Sequence, residues 1–479
     1  MELYNNIANV LSKKGINLIV GTIYDLMAIC KEWYRGNVND FHYYTERVNG
    51  TNVECERLTM NMPKKLCEDI TKLLWTEKTK IELSSVKATN KLWEVLDSKE
   101  NSFTENFPVF LEKAMLALGN GATIEYKDKN NKTIIDYVDG DVIIPYKFTN
   151  SYIYGMVTIS RFVEGSGKTK TFYTHITYHE YVDGVYIKHN ELYKAKTDSE
   201  LGKEIKFESM FPSIKETEIQ RTATPYFQIF KPNLANNFDT NSPMGISILA
   251  NSIDRFKALD IKYDSFNNEF ILGKKRIVVD QSAMKGKMET DSDGNPYFVQ
   301  YFDKNDKIYQ ALNIDSDKMK EPVKEIDMKI RYQEHIDSIN AELSWLADNV
   351  GLGDNYYEFD GTSVKTATEV ISENSKAFRT REHYLAIVKS AVYDLVKAVC
   401  ELEGIKTTKI SIIPDDSIIE DKNAETIRAQ MEVSQSLRSK KSYLMDIKGM
   451  TEEEADKELE LIKNEKMSSQ EALGIISEE

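Results

Sequence analysis

Three short stretches of this chain carry residue types that do chemistry in other settings. Gly165-Ser166-Gly167-Lys168-Thr169 offers the lysine and hydroxyl with which a phosphate-binding loop holds a nucleotide and its metal. The complete pattern needs a glycine five residues before Gly167, where Phe162 stands, and a strand-to-helix junction that aims backbone amides at phosphate. The adjoining residues, TKTFYTHITYH, are strand-like, so the segment reads as a hairpin turn. Glu289, Asp291, Asp293, Gly294 and Asn295 resemble half a calcium loop, but Glu289 and Gln300 occupy the places of the first Asp and the bidentate Glu, and Pro296 heads a strand. A solvated hairpin tip accounts for the same residues. His175 and His179 lie four apart beside Glu180, whereas metalloprotease ligands at that spacing need a helix and a Glu directly after the first His. They read as exposed strand histidines.

The four cysteines (Cys30, Cys55, Cys67, Cys400) form no CxxC and have no histidine at zinc-ligand spacing, which fits idle thiols in a reducing compartment. No GxSxG elbow occurs. The chain is therefore expected to be no enzyme and to need no cofactor or metal; a nucleotide or metal hydrolase built on GSGKT or ETDSDGN is the enzymatic rival. A net charge of −15 argues against tight nonspecific nucleic-acid binding, which requires a basic surface, yet a conduit through which DNA slides gains from repelling it. No stretch approaches twenty apolar residues, and MELYNNIANVLSKKG lacks a basic segment followed by an apolar core, so neither a membrane span nor a secretory signal is expected.

The elements that must position any site are long. Apolar residues at steps of three and four predict an amphipathic helix from Ile246 to about Gly273, a second from about Val323 to Val350, and a third from near Lys365 to Cys400 with no Gly or Pro before Gly404. At a rise of about 1.5 Å per residue the last two reach roughly 40 and 55 Å. Their stripes are too interrupted for a strict heptad seam. Residues 1 to about 118 read as mainly helical (Ile19–Trp33, Met62–Leu74, Phe107–Leu118), and Ala122 to about Tyr193 as antiparallel hairpins. Thr222 to Asp239 looks irregular, with Ser242 a plausible cap for the helix after it. Between the first two long helices, strands are expected at Arg276–Val279, Tyr297–Phe302 and Ile308–Leu312; so small a module buries little core alone. A strand near TKISIIP and three helices, 424–437, 442–447 and 452–463, close the chain, the last with a Thr451–Glu454 capping box. The fold class is α+β.

The connection from Gly351 to Val364 stands out. Gly351, Gly353 and Gly361 permit unusual backbone angles, Tyr356, Tyr357 and Phe359 are costly to expose without a partner, and Asp354, Glu358 and Asp360 make it acidic around Asn355. It is longer than the usual helix connection.

WYRG (33 to 36), MPKKLCEDITKLLW (62 to 75), ALGNGATIEYKD (117 to 128), PMGISILANSIDRFKALDIKYDSF (243 to 266), FDGTSVKTATEVISENSKAFRTREHY (359 to 384), ISIIPDDSIIEDKNAETIRA (410 to 429) and the closing SYLMDIKGMTEEEADKELELI come in an order that resembles tailed-bacteriophage portal proteins of long-tailed phages of Gram-positive hosts. The likeness spans nearly the whole chain, and its specificity lies in the ordered set. It implies a portal architecture: a wing at 1–242, stem helices at 243–273 and 320–350 around a clip at 274–319, a tunnel loop at 351–364, a long wing helix at 365–405, and a wing strand and crown helices at 406–479. It further implies a ring, usually of twelve subunits, at one capsid vertex of the virion, assembled in the host cytoplasm. Such a ring conducts double-stranded DNA during packaging and ejection. Its implied partners are the terminase large subunit, a head-completion or adaptor protein, and the major capsid and scaffolding proteins, with no membrane involved. The clip residues Lys274, Lys275, Arg276, Lys285 and Lys287 suit acidic protein partners better than DNA. One departure concerns the tunnel loop, which has no Lys or Arg with which to grip phosphate. A ring or adaptor of a tail-like particle that never conducts DNA shares the fold and is the rival binding reading.

Overall fold

The computed structural model describes residues 2–18, 21–48, 50–273, 276–279, 285–301, 323–326, 329–354, 356–359, 367–415 and 422–474. Helices α1 (Glu2–Lys13) and α2 (Thr22–Arg35) lead into a hairpin of β1 (Tyr43–Val48) and β2 (Thr51–Glu56), then α3 (Met62–Leu74), β3 (Lys80–Leu83), α4 (Val86–Leu96) and α5 (Phe103–Phe110). Local chemistry sets these ends: Gly36 closes α2 in the left-handed region, Pro63 sits in the first turn of α3, and Ser85 Oγ accepts from Ala88 N at the start of α4. The expected helix at 107–118 exists in another form: α5 runs straight into a π-helical segment, Leu111–Ala117. The first 118 residues also hold β1, β2 and β3, where a mainly helical region is expected from the sequence.

Strands β4 (Gly121–Lys127), β5 (Thr133–Asp139), β6 (Ile143–Thr149), β7 (Tyr152–Glu164), β8 (Thr171–Val182), β9 (Val185–Ala195), β10 (Lys203–Ile205), β11 (Thr217–Arg221) and β12 (Phe227–Phe230) build two sheets. One runs β10-β9-β8-β7-β6 with β11 also on β9; the other runs β12-β4-β5. The first six occupy the span expected for antiparallel hairpins, its two ends displaced by no more than two residues. Asp183 and Gly184 both take positive φ (52° and 74°) in the β8–β9 turn, the geometry that matches strand twist. The segment expected to be irregular supplies β12, whose Phe227 and Phe230 are buried.

Then come α6 (Ile253–Leu272), β13 (Arg276–Val279), β14 (Lys285–Thr290), β15 (Pro296–Tyr301), β16 (Val323–Ile326), α7 (Tyr332–Asn349), α8 (Ala367–Leu402), β17 (Ile410–Ile413), α9 (Lys422–Ser434), α10 (Lys440–Lys448) and α11 (Glu452–Gly474). Two expectations fail here. The first long helix begins at Ile253, not Ile246, because Ile246 to Leu249 are anchored elsewhere: Ile248 N and Ser247 Oγ both donate to Leu116 O (3.2 and 3.1 Å) at the end of the π-helical segment. Gly119 lies so close that a Cβ there would stand 2.2 Å from the Ile246 carbonyl carbon. Ser242 accordingly caps nothing helical; its Oγ accepts from Met244 N within a turn. The second failure is at 323–326, a strand that pairs with β13, Val279 opposite Val323 and Arg276 opposite Ile326. Pro322 disfavours helix just before it, and the four residues that follow, bounded by Val323 and Ile326, are a strand-length segment. α7 therefore has 18 residues, spanning about 27 Å at about 1.5 Å per residue rather than 40 Å. The expected strand at 308–312 lies outside the described residues.

α8, 36 residues long, is the spine of the core. Tyr384, Leu385, Val388, Val392, Leu395, Val396 and Val399 are buried along it, against β4, β12, β17 and α3. Arg381 is buried too, and donates to Leu73 O (2.8 Å) and Asp415 O (2.9 Å), tying the end of α3 to the exit of β17. β17 pairs with β3, Ile410 opposite Leu83. Trp33, Phe103, Phe107, Phe110, Phe230 and Phe256 belong to the same core. In α11 the capping box forms as expected, Thr451 N donating to Glu454 Oε2 (2.9 Å) and Glu454 N to Thr451 Oγ1 (3.4 Å).

Candidate functional site

The α7–α8 connection starts with a helix stop. Gly351 takes φ 79°, its N bonds Asp348 O (3.0 Å), and Leu352 N reaches Ala347 O (2.9 Å), which satisfies carbonyls the helix end leaves over. Gly351 is also held from outside. Thr380 Oγ1 on α8 donates to Gly351 O (2.7 Å), and a Cβ at 351 would lie 2.4 Å from that hydroxyl. Gly353 takes φ 96°, and Leu352 between the two glycines is fully buried.

The aromatic residues turn inward. Tyr357 is 7% exposed; its hydroxyl donates to Asp69 Oδ2 on α3 (3.0 Å), and burial beside that carboxylate pushes its phenol far above the usual range. Lys65 Nζ bonds the same carboxylate oxygen (3.0 Å) and stands 5.5 Å over the Tyr357 ring. Tyr356 packs edge-on to Tyr357 at 4.9 Å. Phe359 sits 6.5 Å from Tyr263 and 6.0 Å from Phe266 of α6, and its N donates to Asn340 Oδ1 of α7 (2.7 Å). The partner for these side chains is thus the chain's own α3, α6 and α7. Glu358 is half-buried. Asp354 is exposed and paired with Lys376 Nζ (3.2 Å), which also holds Asp348 (3.0 Å), so α8 brings to the loop the cation its own sequence lacks. Asn355, Asp360 and Gly361 lie outside the described residues.

The basic candidates sit in another part of the chain. Lys274 and Lys275 are outside the described residues, while Arg276 and Lys285 open β13 and β14. Lys287 Nζ meets Glu289 Oε1 at 2.5 Å. On the β14–β15 hairpin Met288 lies opposite Phe298, and they are 63% and 62% exposed. The Phe298 ring covers Gly286, where a Cβ would lie 1.9 Å from its Cζ.

The other motifs resolve by geometry. GSGKT turns from β7 to β8 with Gly165 and Gly167 at φ 84° and 57°. Asp291 Oδ1 accepts from Asp293 N (3.0 Å) and Asn295 N (2.8 Å), so that carboxylate closes the hairpin tip. The histidines are not exposed as expected. His179 is 1% exposed with Nδ1 at 2.7 Å from the Tyr186 hydroxyl, and burial pulls its imidazole down to about 3. His175 lies under Phe207 and Phe211 and bonds Asn190 Oδ1 (3.0 Å). Phe207 and Phe211 thus cover His175, Tyr186 and Phe227 cover His179, and period-two reading of β8 registers neither.

Sequence reasoning misses two acids that fasten the long helices. Glu342, buried on α7, accepts from Arg255 Nη1 (3.1 Å) and Lys262 Nζ (2.7 Å) of α6. Asp260, buried on α6, accepts from Met60 N (2.8 Å) and pairs with His42 Nε2 (3.1 Å), while His42 Nδ1 accepts from Val38 N. The one local signal is an acid inside an apolar stripe: Asp260 beside Leu259, and Glu342 beside Leu343. Outside these fastenings the two helices leave apolar surface uncovered. Ile261 is 46% exposed, Phe270, Ile271 and Leu272 are 47 to 58%, and Tyr332 and Trp345 are 56%.

Residues 23–472 match the phage portal protein family of the SPP1 Gp6-like type. The chain belongs to that family. As a phage portal protein it is a component of a bacteriophage virion, with the mixed helix-and-sheet fold just described. No curated protein matches the portal chain. Among solved structures, a chain of the virion of the native gene transfer agent (GTA) particle is similar at 10% identity and a TM-score of 0.41, covering 80% of the portal chain and 87% of its own length. A chain in the neck of the native GTA particle computed with C12 symmetry is similar at 11% and 0.41, covering 80% and 88%. Among its described residues, no helix is long and apolar enough to cross a membrane.

Proposed function

We propose that copies of this portal chain, twelve in number, close into a ring at one capsid vertex and form the channel for double-stranded DNA in packaging and ejection. The observation that carries it is the row of apolar side chains left open on α6 and α7, from Ile261 and Trp345 to Phe270, Ile271 and Leu272. A single chain has no reason to maintain so much uncovered apolar surface, and a closed ring buries it. The ring is a passive conduit that docks the terminase large subunit and later a head-completion or adaptor protein, among major capsid and scaffolding proteins, without hydrolysing anything itself. The parts keep their expected roles with shifted limits: the wing at 1–242, a stem of α6 and α7, a clip whose strands extend to Ile326, the tunnel loop at 351–364, α8 as the long wing helix, and the crown from α9 onward. The finer assignment to long-tailed phages of Gram-positive hosts rests on the sequence resemblance alone.

Within the loop, Gly351 and Gly353 act as hinges, and the fastening at Thr380, Lys376 and Asp69 supports one resting position. Electron microscopy of the purified chain tests the ring: a twelve-fold annulus with a hole wide enough for duplex DNA is expected, and a self-contained monomer or a plugged centre would end the proposal. Nuclease-protected DNA in purified particles separates this reading from a tail-like adaptor. Replacing Gly351 and Gly353 by Ala is expected to leave rings intact and impair packaging; undiminished packaging would remove the hinges.

A further inference from the structure

The outer edge of the larger sheet leaves backbone groups unused. β11 lies on β9 with Ile219 opposite Ile187, bracketed by Asn190 N to Glu216 O (2.8 Å) and Thr222 N to Gly184 O (3.0 Å). Hydrogen-bonded pairs alternate along an antiparallel ladder, so the even-numbered residues face β9, and Thr217, Ile219 and Arg221 turn their amides and carbonyls outward. Among the described residues no strand lies on that side. The strand carries neither the proline nor the bulge that commonly blunts an edge, and Ile219 is 67% exposed.

A cavity of about 660 Å³ runs beside this edge, between β11 and the end of β4. Its lining includes Lys127, Lys129, Lys188 and Lys215 together with the acids Asp128 and Glu218. Lys127 is occupied by Glu403, and Asp128 Oδ1 is occupied by Asn130 N and Lys132 N at 2.8 Å each. Lys129 and Lys215 are exposed and make no ion pair among the described residues. Lys188, half-buried, stands 5.0 Å over the Tyr126 ring; burial pulls its ammonium pKa down, Glu218 and Asp136 oppose that shift, and an arriving carboxylate would reinforce the charge further. Glu125 lies sealed behind, and burial pushes it up to about 8, so it adds no negative charge at neutral pH. With Lys127 paired to Glu403, the lysines Lys129, Lys188 and Lys215 outnumber the ionised acids Asp128 and Glu218 by one, in a chain of net charge −15 and against an open strand edge with an apolar patch at Ile214 and Ile219.

We infer that this groove docks an extended acidic segment of a partner protein, which adds as a strand to β11 with carboxylates over Lys129 and Lys215 and an apolar side chain on Ile214 and Ile219. Main-chain bonds to Thr217, Ile219 and Arg221 supply affinity, and the lysines supply the preference for acid. The inference concerns a single chain, so it stands or falls independently of ring formation.

The test uses the full chain and two labelled synthetic peptides of alternating Val and Glu or alternating Val and Lys, read by fluorescence anisotropy and amide exchange. The Val-Glu peptide is expected to bind at least tenfold tighter than the Val-Lys peptide, to weaken with salt, and to slow exchange at Thr217, Ile219 and Arg221. Charge reversal at Lys129→Glu with Lys215→Glu should invert the peptide preference, whereas Lys457→Glu, on helix α11, which packs on α10, should leave it alone. Equal binding of both peptides, or a preference that survives the reversal, would overturn the assignment. So would self-association of the peptide-free chain that the double reversal abolishes, since the occupant would then be a second copy.

Discussion

The proposed wing and the paired helices α6 and α7 solve the same problem in opposite ways. In the wing, Trp33, Phe103, Phe107 and Phe230 are 2% exposed or less, and α8 lies across the sheet to complete their enclosure. On α6 only Phe256, Leu259 and Asp260 are buried, while the last turn ends in three exposed apolar residues, Phe270, Ile271 and Leu272. One region closes its own core; the other is held as a pair by Glu342 and keeps its outer stripe open. Stability of the single chain therefore resides in the first region, and the assembly proposed above would draw on the surface that α6 and α7 leave open.

The largest effect expected from that contrast is a split phenotype. Phe270→Ser, Ile271→Ser and Leu272→Ser combined should abolish rings in electron micrographs while shifting single-chain unfolding by less than about 1 kcal/mol, whereas Trp33→Ala should cost about 3–5 kcal/mol through the cavity it leaves. If the serine variant unfolds as readily as Trp33→Ala, the division is wrong. Next, Glu342→Ala leaves Arg255 and Lys262 without their shared carboxylate. It should lower stability by about 2 kcal/mol in urea melts and loosen α6 from α7, seen as faster amide exchange confined to those helices.

A pH effect sharpens the wing side. The folded chain holds the Glu125 proton up to about 8 because burial disfavours the carboxylate, whereas an unfolded glutamate releases it near about 4.3. Between those values the folded state binds more protons, so this residue's contribution falls as pH rises through the window. Glu125→Gln should therefore exceed the wild type by about 1–3 kcal/mol at pH 8 and match it below about pH 4. Identical pH slopes for the two proteins would show that Glu125 is ionised in the fold. The smallest effect belongs to the proposed crown: Thr451→Ala should cost about 1 kcal/mol of local helix stability at α11, read by circular dichroism, and leave the melt of residues 1–242 unchanged.

Legibility in the sequence obeys the same division. The hairpins from β4 to β9 and the length of α8 are readable because alternation and three-four spacing are local consequences of burial against one surface. The start of α7 is misread because Val323–Ile326 has no periodicity long enough to choose between helix and strand, and its partner β13 is far away in sequence. α6 is overextended because Ile246 and Leu249 fit its stripe while Ser247 and Ile248 between them are fixed to Leu116 O. In the candidate loop, the glycines and inward aromatics are legible as types that need a partner. Their contacts with Asp69, Thr380 and Asn340 are not, since nothing local encodes which distant helix will be adjacent.

The pairing of β3 with β17, sealed by Arg381 against Leu73 and Asp415, has a consequence for synthesis. Leu83 and Ile410 leave the ribosome about 330 residues apart, which at about 5–20 residues per second is roughly 15–70 s of elongation. Throughout that interval the nascent N-terminal part has a bare β3 edge and an unfilled socket at the end of α3. The folding of its first hundred residues is completed by a segment translated about 330 residues later.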